Sequence, residues 1–198
     1  MSRRLFQTLT VAAAALVLAA CSGEQPPQFR NTDITGADYG KGFELTDHTG
    51  TERSLEDFRG KVVTVFFGFT QCPDVCPSSL ATMSDVMREL GADAERVQVL
   101  FITVDPERDT QELLANYVPN FDERFLGLRG DAEQTGTVAK EFKVFYQKSG
   151  DTSGMNYTID HSAGTYVFDP EGRLRLYVRH AESAENIAAD LKLLLAGN

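Results

Sequence analysis

Two cysteines four positions apart, Cys72 and Cys76, sit in the stretch Gly68-Phe69-Thr70-Gln71-Cys72-Pro73-Asp74-Val75-Cys76-Pro77. A thiolate is both a nucleophile and a soft metal ligand. Four-residue spacing on a helical turn makes the two side chains neighbours, with Cβ atoms about 5–6 Å apart. Sulfurs so placed can clasp one metal ion. With some backbone adjustment they can also close a disulfide, which needs Cα atoms about 4.4–6.8 Å apart. The spacing permits both states. A metal held by two sulfurs calls for a third ligand in most settings, and the chain offers His48, His161 and His180. His48 falls in a turn and is expected to be solvated. His180 falls where the last strand gives way to the last helix, and a capping or surface role is expected there. His161 stands in Asp160-His161-Ser162-Ala163-Gly164, directly before a strand, and is the expected third ligand. Two thiolates and one imidazole form a soft set suited to Cu(I) and compatible with Cu(II), whereas a closed structural zinc site would need a fourth ligand.

Such a site needs elements to present it. Val62 to Phe69 is a continuous apolar run, the mark of a strand buried on both faces, with Phe66, Phe67 and Phe69 in the core. Pro77 suits a first helical position, so a helix is expected from Pro77 to Leu90, with Leu80, Met83, Val86, Met87 and Leu90 on one face and Gly91 ending it. Val97 to Val104 reads as a second buried strand, and strand–helix–strand implies a parallel, right-handed crossover. The cysteines then lie beyond the end of a strand and at a helix N-terminus, where open α/β sheets place ligands and where the helix dipole favours thiolate.

Around this unit, Phe43 to Thr46 and Glu52 to Leu55 flank the turn Asp47-His48-Thr49-Gly50 and read as a hairpin. Helices are expected at Thr110 to Tyr117 and Ala132 to Phe142, with Asp109 capping the first of them from the segment Asp105-Pro106-Glu107-Arg108-Asp109. Residues 147–158 are polar and glycine-bearing, hence a loop or insertion. Thr165 to Phe168 and Leu174 to Val178 form a second hairpin around Asp169-Pro170-Glu171-Gly172. Ser183 caps a last helix whose Ile187, Leu191 and Leu194 face the sheet. The order predicts an α/β fold of thioredoxin-like type: a three-layer α/β/α sandwich with a central mixed sheet and an N-terminal β-hairpin.

The 198 residues fit one domain, and 19 Lys+Arg against 29 Asp+Glu give a net charge of −10 that argues against a nucleic-acid partner. Three cysteines are too few for a disulfide-stapled scaffold. Residues 1–20, with Arg3 and Arg4 before an uncharged run, read as a secretory signal, and Leu18-Ala19-Ala20-Cys21 resembles the bacterial lipobox. Cys21 is therefore expected to carry lipid. Residues 21–40 would serve as anchor and flexible tether, and 41–198 as the folded domain. A tether of that length reaches roughly 50 Å or more when extended. The protein is expected to be a monomer, exported and lipid-anchored on the periplasmic side of a bacterial membrane, where thiols tend to be oxidised.

FFGFTQCPDVCP at 66–77, TVDPERDT at 103–110, FLGLRG at 125–130 and DHSAGTYVFDPEGR at 160–173 together resemble the Sco/SenC family of copper chaperones, over about residues 40–197. The resemblance implies copper as the bound metal and Cys72, Cys76 and His161 as its ligands. Many relatives carry His where this chain has Gln71, a position outside the family's ligand set. The implied function is copper delivery to, or assembly of, the binuclear copper centre of cytochrome c oxidase subunit II. The partner would be that subunit or another copper chaperone. The alternative is a thiol–disulfide oxidoreductase acting on the cysteines of that centre or of another exported protein. Against it stand the C-x₃-C spacing, where redox motifs of this fold have C-x₂-C, and the lack of a proline near His161. Asp160 has two readings of equal weight, a partner for the second ring nitrogen of His161 or a solvated loop carboxylate.

Overall fold

A computed structural model describes residues 28–197. The expected signal segment 1–20 and the expected lipidated Cys21 lie outside the described residues. The strands are β1 (Thr32–Asp33), β2 (Glu44–Asp47), β3 (Glu52–Ser54), β4 (Val62–Gly68), β5 (Val97–Thr103), β6 (Leu126–Arg129), β7 (Tyr146–Ser149), β8 (Thr158–His161), β9 (Thr165–Phe168) and β10 (Leu174–Val178). The α-helices are α1 (Val75–Leu90), α2 (Gln111–Tyr117), α3 (Ala132–Glu141) and α4 (Ala184–Leu195).

Eight strands form one mixed sheet in the order β1-β10-β9-β4-β5-β6-β2-β3. The apolar runs lie at its centre because both of their faces are covered: every residue of β4 and of β5 is buried. These two pair in parallel from Val62 opposite Val97 to Gly68 opposite Thr103, and β9 lies antiparallel on the other side of β4. Helix α1 buries Leu80, Met83, Val86, Met87 and Leu90, the stripe its spacing predicts, and packs beside α4. The expected sandwich and N-terminal hairpin are both present. The hairpin β2–β3 stops at Ser54, and Leu55–Phe58 forms a single 3₁₀ turn.

Several boundaries differ from expectation. Helix α1 starts at Val75, two residues before Pro77, so Cys76 is helical. Proline is tolerated within a first turn, where backbone N–H groups have no intrahelical acceptor. Residues 147–158, expected to be a loop or insertion, contribute to a separate two-stranded sheet in which Tyr146 pairs with His161 and Ser149 with Thr158. The expected flexible tether is corrected over its described part, residues 28–40. Thr32 and Asp33 add a strand to β10. The buried Asp190 carboxylate of α4 accepts hydrogen bonds from the Arg30 and Asn31 backbone N–H groups at 2.8–3.1 Å. Tyr39 packs edge-on against Tyr166.

Candidate metal centre

Strand β4 ends at Gly68, and the chain turns through Phe69 to Asp74 into α1, which carries Cys76 to the C-terminal end of β4. Glycine at 68 is required there: a Cβ would stand 2.8 Å from Cys76 Sγ and 2.8 Å from the Phe101 ring. Cys76 is fully buried and Cys72 is partly exposed; both are free thiols. The Cys76 backbone N–H donates to Cys72 Sγ at 3.4 Å, which draws the Cys72 sulfur to the helix N-terminus.

The imidazole arrives from the separate hairpin. Nε2 of His161 lies 3.4 Å from Cys76 Sγ, and one ligand atom from each of Cys72, Cys76 and His161 falls within 4.8 Å of the others. Among the described residues this is the one group of three or more Cys, His, Asp or Glu side chains so gathered. Nδ1 of His161 lies 2.9 Å from the Ser162 carbonyl. A carbonyl only accepts, so Nδ1 carries the proton and the Nε2 lone pair points at the sulfurs. Edge-on contacts with Phe66 and Phe69, at 6.1 and 5.8 Å between centroids, hold the ring on its other sides.

Burial sets the protonation state of the metal-free site. It pushes the Cys76 thiol well above the ordinary thiol range, outweighing a backbone hydrogen bond from Phe69, and the neighbouring Cys72 adds to the rise. The thiolate expected from the helix dipole is thereby corrected at Cys76: desolvation exceeds the dipole for a sulfur with no exposed surface. Burial lowers the His161 pKa as well, against the opposing pull of the Ser162 carbonyl and the Asp160 charge. The site at rest thus holds a neutral Cys76 thiol beside a neutral imidazole.

The model of the SCO1/SenC family matches residues 31–196. This chain belongs to that family. It is 40% identical over 200 residues to the mitochondrial SCO2 homolog of Bos taurus, a match covering 98% of this chain and 75% of that one. Copper-bound ScoI of Bradyrhizobium japonicum is 41% identical with a TM-score of 0.73, over 80% of this chain and 100% of that one. Apo Sco1 of Thermus thermophilus is 40% identical with a TM-score of 0.77, over 87% and 100%.

Within this SCO1/SenC chain two side chains, His48 and Asp109, depart from their expected roles, and Asp160 takes the solvated one of its two readings. Asp160 is exposed and does not orient His161, because consecutive residues of β8 point to opposite faces. His48 is not simply solvated: its Nδ1 accepts the Gly127 backbone N–H at 3.0 Å, since the β2–β3 turn lies against β6. Asp109 does not cap α2. Thr110 does, its hydroxyl accepting the Leu113 N–H, while Asp109 is buried against Thr70 and Thr103. His180 keeps its surface role, 3.2 Å from the Ser79 hydroxyl. Gly68, Gln71, Arg108, Asp109 and Tyr157 all shape the site without being ligands. Of the segment from Asp105 to Asp109, Asp105, Arg108 and Asp109 are buried, and a charged segment directly after a buried strand is the one signal of this in the sequence.

Proposed function

We propose that the protein is a copper-binding metallochaperone supporting assembly of the binuclear copper centre of cytochrome c oxidase subunit II. The observation that carries the reading is the meeting of Cys72, Cys76 and His161 within 4.8 Å. The donor set fits the metal: two sulfurs and an imidazole nitrogen are soft ligands of the kind copper selects. ScoI of Bradyrhizobium japonicum, 41% identical, binds copper, and the Sco family is one of cytochrome c oxidase assembly proteins.

Copper is cargo here, and the chain's own residues govern its loading. His161 offers its Nε2 lone pair with no proton to lose, because the Ser162 carbonyl holds the ring proton on Nδ1. Cys76 must give up a proton to ligate, since only the thiolate binds. Partly exposed Cys72 is the sulfur that solvent and a partner reach first. This asymmetry suits exchange of a bound ion through one accessible ligand.

The protein is placed, in this reading, on the periplasmic side of a bacterial membrane as a lipid-anchored monomer held through Cys21. With residues 29–33 fastened to the domain, eight peptide units separate Cys21 from Phe29. They span at most about 29 Å, so the domain works close to its anchor. The second reading, thiol–disulfide exchange, draws on the two adjacent free cysteines. The first test is copper(I) titration of the reduced protein. One tightly bound ion per chain supports the metallochaperone, and no binding leaves the thiol chemistry alone.

A further inference from the structure

The segment from Asp105 to Asp109 joins β5 to α2 and supplies no ligand, yet Asp105, Arg108 and Asp109 are all buried. It touches both arms of the site. Toward the cysteine loop, Asp109 accepts the Thr70 backbone N–H at 3.0 Å and the Thr70 hydroxyl at 2.6 Å. Arg108 Nη1 reaches Gln71 Oε1, beside Cys72, at 3.2 Å. Toward the hairpin, the same Nη1 donates to the carbonyls of Met155 at 3.1 Å and Tyr157 at 2.7 Å. Its Nε donates to Asp105, whose other carboxylate oxygen accepts the Tyr157 hydroxyl at 2.7 Å. The guanidinium stacks 3.7 Å from the Tyr157 ring centroid. Its Nη2 is buried with no hydrogen-bond partner among the described residues, a cost that a space-filling side chain would avoid.

We propose that Arg108 is a positioning residue that locks the hairpin bearing His161 to the loop bearing Cys72, so that sulfurs and imidazole are presented as one preassembled set. Strands β7 and β8 pair only with each other, and an isolated two-stranded sheet is marginal in water. Its placement therefore depends on side-chain locks. Arg108 is the one side chain bonded to both Gln71 and the hairpin backbone among the described residues, and only a guanidinium can hold Asp105 through Nε while its Nη1 reaches the other acceptors. Preassembly of ligands is what lets a site bind without first ordering itself. The metal-binding half of this inference rests on the ligand set proposed above; the mechanical half does not.

Arg108→Lys keeps the charge and removes the Nε bond to Asp105 and the planar stack on Tyr157. In the reduced, metal-free protein, amide exchange of β8 and of Ser162, whose N–H bonds the Phe145 carbonyl, should rise at least tenfold. Exchange in β4 and β5 should stay unchanged. Unchanged exchange in β8 would overturn the proposal whether or not copper binds. A double-mutant cycle supplies the second readout, with copper(I) partitioned against a chelating competitor. Arg108→Lys should weaken binding at least tenfold in the native background and less than twofold in the His161→Ala background. Equal losses in both would mean general destabilisation and would also overturn it. Tyr157→Phe, which deletes only the hydroxyl bonded to Asp105, should raise β8 exchange about threefold, and it decides the question if the lysine variant does not fold. Failure of the native protein to bind copper would sink the ligand set, while the exchange measurement still judges Arg108.

Discussion

Cys76 Sγ and His161 Nε2 stand 3.4 Å apart across 85 positions of sequence, one on a helix entering the core and the other at the end of a hairpin outside the main sheet. Neither group carries charge in the resting site, because burial disfavours both thiolate and imidazolium. The contact is a pairing of a proton-bearing sulfur with a ready lone pair. It is poised for a metal that displaces one proton.

Copper affinity should therefore depend steeply on pH. The Cys76 pKa is raised, so its proton remains bound throughout the neutral range and each ion bound releases it. Apparent affinity should climb about tenfold per pH unit between pH 6 and 8 for each thiol proton displaced. His161 contributes no slope there, since its pKa is lowered and the ring is already neutral. Competition titrations at three pH values would measure the slope; a flat profile would mean that Cys76 is not a ligand.

Gly68→Ala should damage site and fold together. The new Cβ would meet Cys76 Sγ and the Phe101 ring at 2.8 Å, too close for either. Overpacking of this kind costs about 1–3 kcal/mol. The variant should unfold at lower denaturant and bind copper more weakly, because Cys76 must move. Native stability and affinity in this variant would show that β4 and α1 adjust freely.

Acid should remove a defined part of the stability through Asp47. Burial alone would raise its pKa. Hydrogen bonds from the Thr49 and Arg53 side chains, and from the Thr51 and Thr49 backbone, outweigh burial and hold it at about 2. A depressed native pKa stabilises the fold above the unfolded value near 3.8 and loses that contribution as pH falls through about 2. The shift is worth on the order of 2 kcal/mol. Asp47→Asn should be less stable than the native protein at pH 7, and the gap should close toward pH 2.

Much of this was legible in the sequence because burial writes itself into composition. The runs of β4 and β5 are apolar at nearly every position since both faces are covered, and the α1 stripe repeats at helical spacing. Cysteine and histidine announce a soft site by chemistry alone. The hairpin β7–β8 is not legible in the sequence because Gln147 and Lys148 are exposed and no apolar alternation marks them. Strand β6 is four residues long and interrupted by Gly127, so it has no period to read. Residues 30–33 read as linker by composition because what holds them is hydrogen bonding to Asp190 and strand addition, which leave little trace in hydropathy. Asp109 looked like a cap because the sequence before a helix favours one; only the structure reveals that Thr70 and Thr103 claim its carboxylate.

X-ray absorption of the reduced protein loaded with one equivalent of copper(I) tests the central claim most directly. Two sulfurs and one imidazole nitrogen should surround the metal in the native protein, and the nitrogen should vanish in His161→Ala, with affinity falling at least tenfold. An unchanged ligand shell and affinity in that variant would contradict the three-residue site.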